Sequence, residues 1–125
     1  MKSIPRNIQI PPLYELGSYA LVIKFNKRGT LLAVGCHNGK ILLWDFMTQG
    51  LSRSWKGHVR PITSLSWTND GKQLLTSSID HTLKLWDVLT QKEIKSYDLK
   101  TQIINAQIHP KGKLCIASPI LEWPL

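Results

Sequence analysis

The chain has 125 residues, of which 42% are hydrophobic and 19% charged, a balance that suits a packed domain and excludes a chain too polar to bury a core. Its 16 basic residues against 8 acidic ones give a formal net charge of +8, which favours acidic partners such as nucleic acid, nucleosomes or acidic protein faces. The charge is dispersed, with Lys27-Arg28 the only adjacent basic pair, and this argues for solvated strand edges and loops over a continuous nucleic-acid groove.

Residues 1–19 lead the chain. Met1 to Arg6 has no apolar signal core, and Pro11-Pro12 interrupts the region where one could lie. No apolar stretch approaches the roughly 18 residues that a bilayer span needs, so the expectation is a soluble, intracellular protein without a membrane partner. This leading segment reads as a tail or as the outer strand of a neighbouring unit. The two cysteines, Cys36 and Cys115, sit far apart in apolar runs without CxxC spacing, so they read as buried reduced thiols.

From residue 20 onward the sequence repeats. Phe25-Asn26-Lys27-Arg28-Gly29 aligns with Trp67-Thr68-Asn69-Asp70-Gly71 at an offset of 42, and Leu32, Trp44-Asp45 and Thr48-Gln49 then fall on Leu74, Trp86-Asp87 and Thr90-Gln91. A third copy starts at Ile108-His109-Pro110-Lys111-Gly112, a further 41 residues on. Within each copy the signals are those of short strands separated by turns. Ala20–Phe25 and Ile62–Trp67 are apolar-alternating runs followed by a glycine turn. In the second copy Leu74–Ser78 and Thr82–Trp86 are split by Asp80-His81, and Ile94–Tyr97 reads as an outer fourth strand. In the first copy the split is Asn38-Gly39, where both positions tolerate positive φ and predict a tight hairpin. Four strands per period of about 40 residues, with no helical spacing, describe the blade of a β-propeller. The expected organisation is a first blade at 20–56, a second at 57–98 and a partial third at 99–125.

At Gly57-His58, Asp80 and Trp86-Asp87 the second copy resembles the WD-repeat family, and Leu75 to Asp87 is close to the complete family signature. The first copy keeps Trp44-Asp45 but carries Asn38 in place of the turn aspartate. Gly29–Cys36, His58–Ser64 and Ile104–Pro110 are similar to the N-terminal blades of one subfamily, the Swd-one-like (retinoblastoma-binding-protein-five-like) subunits of COMPASS complexes, which methylate lysine four of a histone tail. The similarity covers about residues 20–125. The family protein has a complete propeller of about seven blades and makes its stimulating contacts largely through a segment after the propeller. Two blades and part of a third leave two blade faces uncovered and an unpaired strand edge after Ser118. The expectation is a truncated product or fragment, or further blades supplied by another polypeptide or by self-association.

His58, Thr76, Asp80 and Trp86 match the family's hydrogen-bonded tetrad. Burial would desolvate an imidazole, a hydroxyl, a carboxylate and an indole N–H, and a chain from Trp86 through Thr76 and His58 to Asp80 would satisfy all four. The same residue types could form a nucleophilic triad, but the hydroxyl would lie in mid-strand without an oxyanion loop or nucleophile elbow. No P-loop, GxGxxG or HExxH is present. His37, His81 and His109 fall on separate turns without neighbouring ligands and read as solvent-facing, so no metal is expected. Asp45 and Asp87 read as strand-end structural groups. Trp67 stands where the first copy has Phe25, a core position. Arg60, in the loop after His58, and Lys56 are the residues chosen for partner contact; Trp55, on the expected outer strand, could also meet a partner, though core or edge packing is the favoured reading.

The resulting reading is an all-β WD-repeat propeller fragment. It implies a non-catalytic nuclear scaffold of a histone methyltransferase complex, with other subunits and nucleosomal DNA as partners and neither cofactor nor small-molecule substrate. The alternatives are a WD-repeat adaptor of another complex and a basic nucleic-acid-binding module.

Overall fold

A computed structural model describes residues 18–111, 114–118 and 121–124. The described residues form three antiparallel sheets and no helix. The first sheet is β1 (Ala20–Phe25), β2 (Leu31–Cys36), β3 (Lys40–Asp45) and β4 (Gly50–Lys56), paired in sequence order. The second, in the same order, is β5 (Ile62–Trp67), β6 (Gln73–Ser78), β7 (Thr82–Asp87) and β8 (Lys92–Asp98). The third is a three-stranded meander of β9 (Ala106–Ile108), β10 (Leu114–Ala117) and β11 (Leu121–Pro124). The all-β expectation therefore holds.

The repeat is carried in the backbone as well as the side chains. Register shifts fall between Leu43 and Trp44 in the first sheet and between Leu85 and Trp86 in the second, 42 residues apart. A second matched pair falls at Ala20/Val22 and Ile62/Ser64. Turn chemistry repeats too. Gly29 and Gly71 both hold left-handed backbone, at φ 71° and 72°, a conformation that costs glycine nothing. Asn26 Oδ1 accepts from the backbone N–H groups of Thr30 and Leu31, and Asp70 Oδ1 accepts from Lys72 N. Asp45 accepts from Met47 N at 2.8 Å and Asp87 from Thr90 N at 3.0 Å. Each aspartate thereby closes the turn that leads to its sheet's outer strand, the local hydrogen bonding for which short carboxylates are favoured at turns.

The sheets stack through their apolar faces. Ala33, Ile41 and Leu43 of the first meet Ile62, Leu65, Trp67, Leu74 and Trp86 of the second. Leu75, Leu83 and Leu85 on the opposite face of the second meet Ile103, Ala106, Ile108, Cys115 and Ala117. The second junction is also stitched by hydroxyls. Ser64 Oγ and Ser66 Oγ accept from the N–H groups of Ala106 and Ile108, each at 3.0 Å. Thr63 Oγ1 donates to the Ile103 carbonyl at 2.6 Å. These bonds satisfy backbone groups of β9 and of the segment leading into it, which would otherwise be buried without partners.

Four sequence expectations are corrected. Of the Asn38-Gly39 pair only Gly39 takes positive φ, at 87°, and its N–H returns to the Cys36 carbonyl at 3.1 Å. The connection is thus a three-residue turn with glycine last, not a two-residue turn with both positions inverted. The strand edge after Ser118 is paired, since β10 is flanked by β11 with Cys115 opposite Trp123. Phe25 does not share the core role of Trp67, being 52% exposed against 9%. The first sheet covers Trp67 of the second, whose Nε1 donates to the Lys24 carbonyl, whereas no described sheet lies over Phe25. His37 does not simply face solvent. Its ring stacks on Tyr19 at 3.8 Å, and its Nδ1 accepts from Tyr19 N.

Candidate functional site

The richest polar cluster lies in the second sheet, where three segments converge. β4 ends at Lys56 and the chain turns through Gly57-His58, directed by Gly39, whose carbonyl accepts from both Gly57 N (2.9 Å) and His58 N (3.0 Å). A Cβ at Gly57 would come within 2.4 Å of Ile41 Cδ1, and one at Gly39 within 1.8 Å of the His58 carbonyl oxygen. At Gly39 only glycine lets the two backbones approach, and at Gly57 a side chain would displace that of Ile41. The junction drives the His58 side chain down against β6 and β7, where it is almost wholly buried.

Four groups then form one directed chain. Trp86 Nε1 donates to Thr76 Oγ1 at 2.9 Å, and Thr76 Oγ1 lies 2.6 Å from His58 Nε2. His58 Nδ1 lies 3.1 Å from Asp80 Oδ2. The ionised Asp80 carboxylate can only accept, so the ring proton sits on His58 Nδ1 and Nε2 accepts from the Thr76 hydroxyl, whose oxygen accepts in turn from the indole N–H. That assigns the Nδ1–H tautomer to His58, with the proton directed to the carboxylate. Burial pushes the imidazole below its ordinary value of 6.5 despite the opposing pull of Asp80, so the ring is neutral at physiological pH. Burial would raise the Asp80 carboxyl, but hydrogen bonds from the Thr82 hydroxyl and backbone, with His58 beside it, hold it below the ordinary carboxylate value.

Thr82 is the member that sequence reasoning missed. Its hydroxyl donates to Asp80 Oδ1 at 2.5 Å and lies 2.9 Å from His58 Nδ1. Its backbone N–H donates to the same carboxylate oxygen at 2.9 Å. A threonine two residues after a turn aspartate is the signal that could have found it.

This arrangement offers little to a catalyst. The Thr76 hydroxyl is wholly buried and already both donates and accepts. The first sheet lacks the chain altogether: at the 42-residue offset Val34 replaces Thr76 and Asn38 replaces Asp80. Trp44, the counterpart of Trp86, keeps a buried Nε1–H without a partner among the described residues.

The remaining sequence-selected residues are dispersed. Trp44-Asp45 and Trp86-Asp87 end equivalent strands, and Gly57 forms the junction described above. Lys56 and Arg60 are exposed. Trp55 is half-buried, packed edge-on against Trp86 at 5.7 Å with its Nε1 buried. It therefore belongs to the interface between the sheets, not to an open contact surface. His81 and His109 are exposed on separate turns. Among the described residues no three His, Cys, Asp or Glu side chains gather as metal ligands, and no helix is long and apolar enough to cross a membrane.

Stacked four-stranded sheets with this repeat geometry and this buried chain define a WD-repeat β-propeller, here part of one. The family described as "WD domain, G-beta repeat" matches residues 17–45 and 49–87, and the chain belongs to it. Among curated proteins it is similar to the Retinoblastoma-binding protein 5 homolog of Drosophila melanogaster, with 44% identity over 76% of this chain and 19% of that protein. It is also similar to the COMPASS component SWD1 of Saccharomyces cerevisiae, with 38% identity over 77% of this chain and 24% of that one. Among solved structures it resembles the β-propeller domain of Myceliophteria thermophila Cps50 (Swd1), at TM-score 0.76 and 31% identity. That alignment covers 78% of this chain and 32% of the other. The chain thus spans about a fifth to a quarter of the length of these two curated relatives.

Proposed function

We propose that the chain is a non-catalytic scaffold of a COMPASS-like complex that methylates lysine four of a histone tail, acting in the nucleus through contacts with other subunits. The observation that supports this most directly is the similarity to the yeast COMPASS component and to the fly retinoblastoma-binding homologue, which extends over 77% and 76% of this chain. The chemistry of the buried chain agrees with such a role. Every proton donor from Trp86 to Asp80 already has an acceptor, so the cluster stiffens a surface and leaves no free nucleophile. No cofactor and no small-molecule substrate enter this reading.

Affinity purification of the tagged chain from nuclear extract tests it. Methyltransferase subunits should co-purify, and fewer should do so after substitutions at Lys56 and Arg60. Recovery of an unrelated assembly, such as a ubiquitin-ligase or RNA-processing complex, would favour the general adaptor reading instead. The net charge of +8 supports nucleosomal DNA as an additional partner. In that case binding to nucleosomes should weaken steeply as salt rises, as release of counterions requires.

A further inference from the structure

One end of the first two sheets carries an arrangement that folding alone does not favour. Lys40, at the start of β3, is the direct cross-strand partner of Lys56, at the end of β4. Like charges placed opposite one another on adjacent strands destabilise a sheet. The equivalent pair in the second sheet is Thr82 opposite Asp98, so the repeat does not require two lysines. Four residues beyond Lys56 is Arg60, also exposed, and neither is in an ion pair among the described residues. Between them Val59 is 77% exposed. Beside these groups opens a cleft of about 340 Å³, lined by Lys56, Gly57, Val59, Thr82 and Lys84 above the buried His58–Asp80 pair.

The neighbouring turn adds a second oddity. His81 stands where the first copy has Gly39, yet it is held at φ 75°. A left-handed backbone costs a non-glycine residue about 1 kcal/mol, and such residues cluster at ligand-binding sites. The His81 carbonyl is tied to Leu99 N, which brings Lys100 to the same rim.

We propose that this rim, centred on Lys40, Lys56, Val59 and Arg60, docks an acidic peptide segment of a partner protein, with one apolar side chain of that segment seated in the cleft against Val59. The inference rests on the scaffold reading in taking the partner to be a protein, and it names the surface and the chemistry of the contact. Carboxylates of the segment would relieve the Lys40–Lys56 repulsion. A phosphate backbone fits less well, because Lys84 is paired with Glu93 at 3.0 Å and Lys100 with Asp98 at 3.3 Å. Those carboxylates interrupt the positive track that a polyanion would follow, and an exposed valine offers a phosphate nothing.

The test is fluorescence anisotropy on the full chain with a labelled peptide of alternating Glu and Asp around a central leucine. Two comparison probes are the same peptide with glycine for leucine and a thymidine oligonucleotide of equal charge. The leucine peptide should bind several-fold more tightly than either. Lys56→Glu with Arg60→Glu should weaken it about tenfold or more, the effect of reversing two contact charges. Val59→Ser should weaken it about threefold, whereas Lys27→Glu with Arg28→Glu, on the turn at the opposite end of β1 and β2, should leave it within about twofold. Lys56→Gln should also raise the melting temperature in the absence of peptide, because it removes the like-charge pair. Undetectable binding, tighter binding of the oligonucleotide, or equal losses from the Lys27/Arg28 reversal would each overturn the proposal. These outcomes are separate from the scaffold reading, which fails only if methyltransferase subunits do not co-purify.

Discussion

Replacing Thr76 by valine is the sharpest perturbation that the buried chain permits. The side chains are nearly equal in size, and Thr76 is wholly buried, so no cavity opens and neither solvent nor strand propensity changes much. What disappears is one oxygen with two duties: it accepts from Trp86 Nε1 at 2.9 Å and faces His58 Nε2 at 2.6 Å. Both partners lie in the core and have no other hydrogen-bond partner at those atoms among the described residues. Leaving a buried donor or acceptor unsatisfied costs about 1–3 kcal/mol, so the pair together should cost about 3 kcal/mol. In a domain of this size that corresponds to a fall in Tm of roughly 10 °C. Thermal melts followed by circular dichroism would read it. Thr82→Val is the internal comparison: Asp80 keeps its bonds from His58 and from Thr82 N, so the loss should be about 1 kcal/mol. A Thr76→Val protein melting within about 2 °C of the parent, or below which Thr82→Val falls further, would refute the reasoning.

The same logic reverses in the first sheet, where Trp44 Nε1 lacks an acceptor among the described residues: Val34→Thr should supply one and leave Tm unchanged or raise it by a few degrees. Gly39→Ala should be far more damaging than Gly29→Ala, because its Cβ would strike the His58 carbonyl while that of Gly29 meets nothing within 4 Å. Chemical denaturation should place the first at several kcal/mol and the second near 1 kcal/mol, the cost of left-handed backbone alone. Stability should also fall with acid. The His58 pKa lies below 6.5 in the folded chain, so as pH drops through 6.5 the unfolded chain takes up a proton that the folded chain refuses, and stability is lost down to the folded value. Asp80 is likewise held below its ordinary 3.8, which adds a second loss beneath that pH. Both slopes have the same sign, and a Tm unchanged between pH 7.5 and pH 4.5 would contradict the neutral, buried imidazole.

The repeat made the architecture readable, because strand alternation and turn glycines recur at one offset and the tetrad residues fall at matching strand positions. Other features depend on pairs of segments that no local pattern marks. Ser64 and Ser66 look like ordinary strand hydroxyls, yet they cap N–H groups of β9 about 42 residues away. Thr82 resembles any β-branched strand residue until Asp80 and His58 are seen on either side of it. The Asn38-Gly39 pair suggested a two-residue turn because both residues tolerate positive φ, but tolerance does not compel, and His37 joins the turn while stacking on Tyr19. Trp55 reads as core or edge packing on an outer strand, but alternation cannot reveal that Trp86 of the next sheet is what it packs on.

A buried proton order ties the second sheet together: indole to hydroxyl, hydroxyl to imidazole, imidazole to carboxylate. Nitrogen-15 NMR of histidine-labelled protein at neutral pH reads this directly. His58 should appear as a neutral ring protonated at Nδ1, with an unprotonated Nε2 and a slowly exchanging ring proton. A His58 ring protonated at Nε2, or one averaging rapidly between tautomers, would mean that the second sheet is held together in some other way.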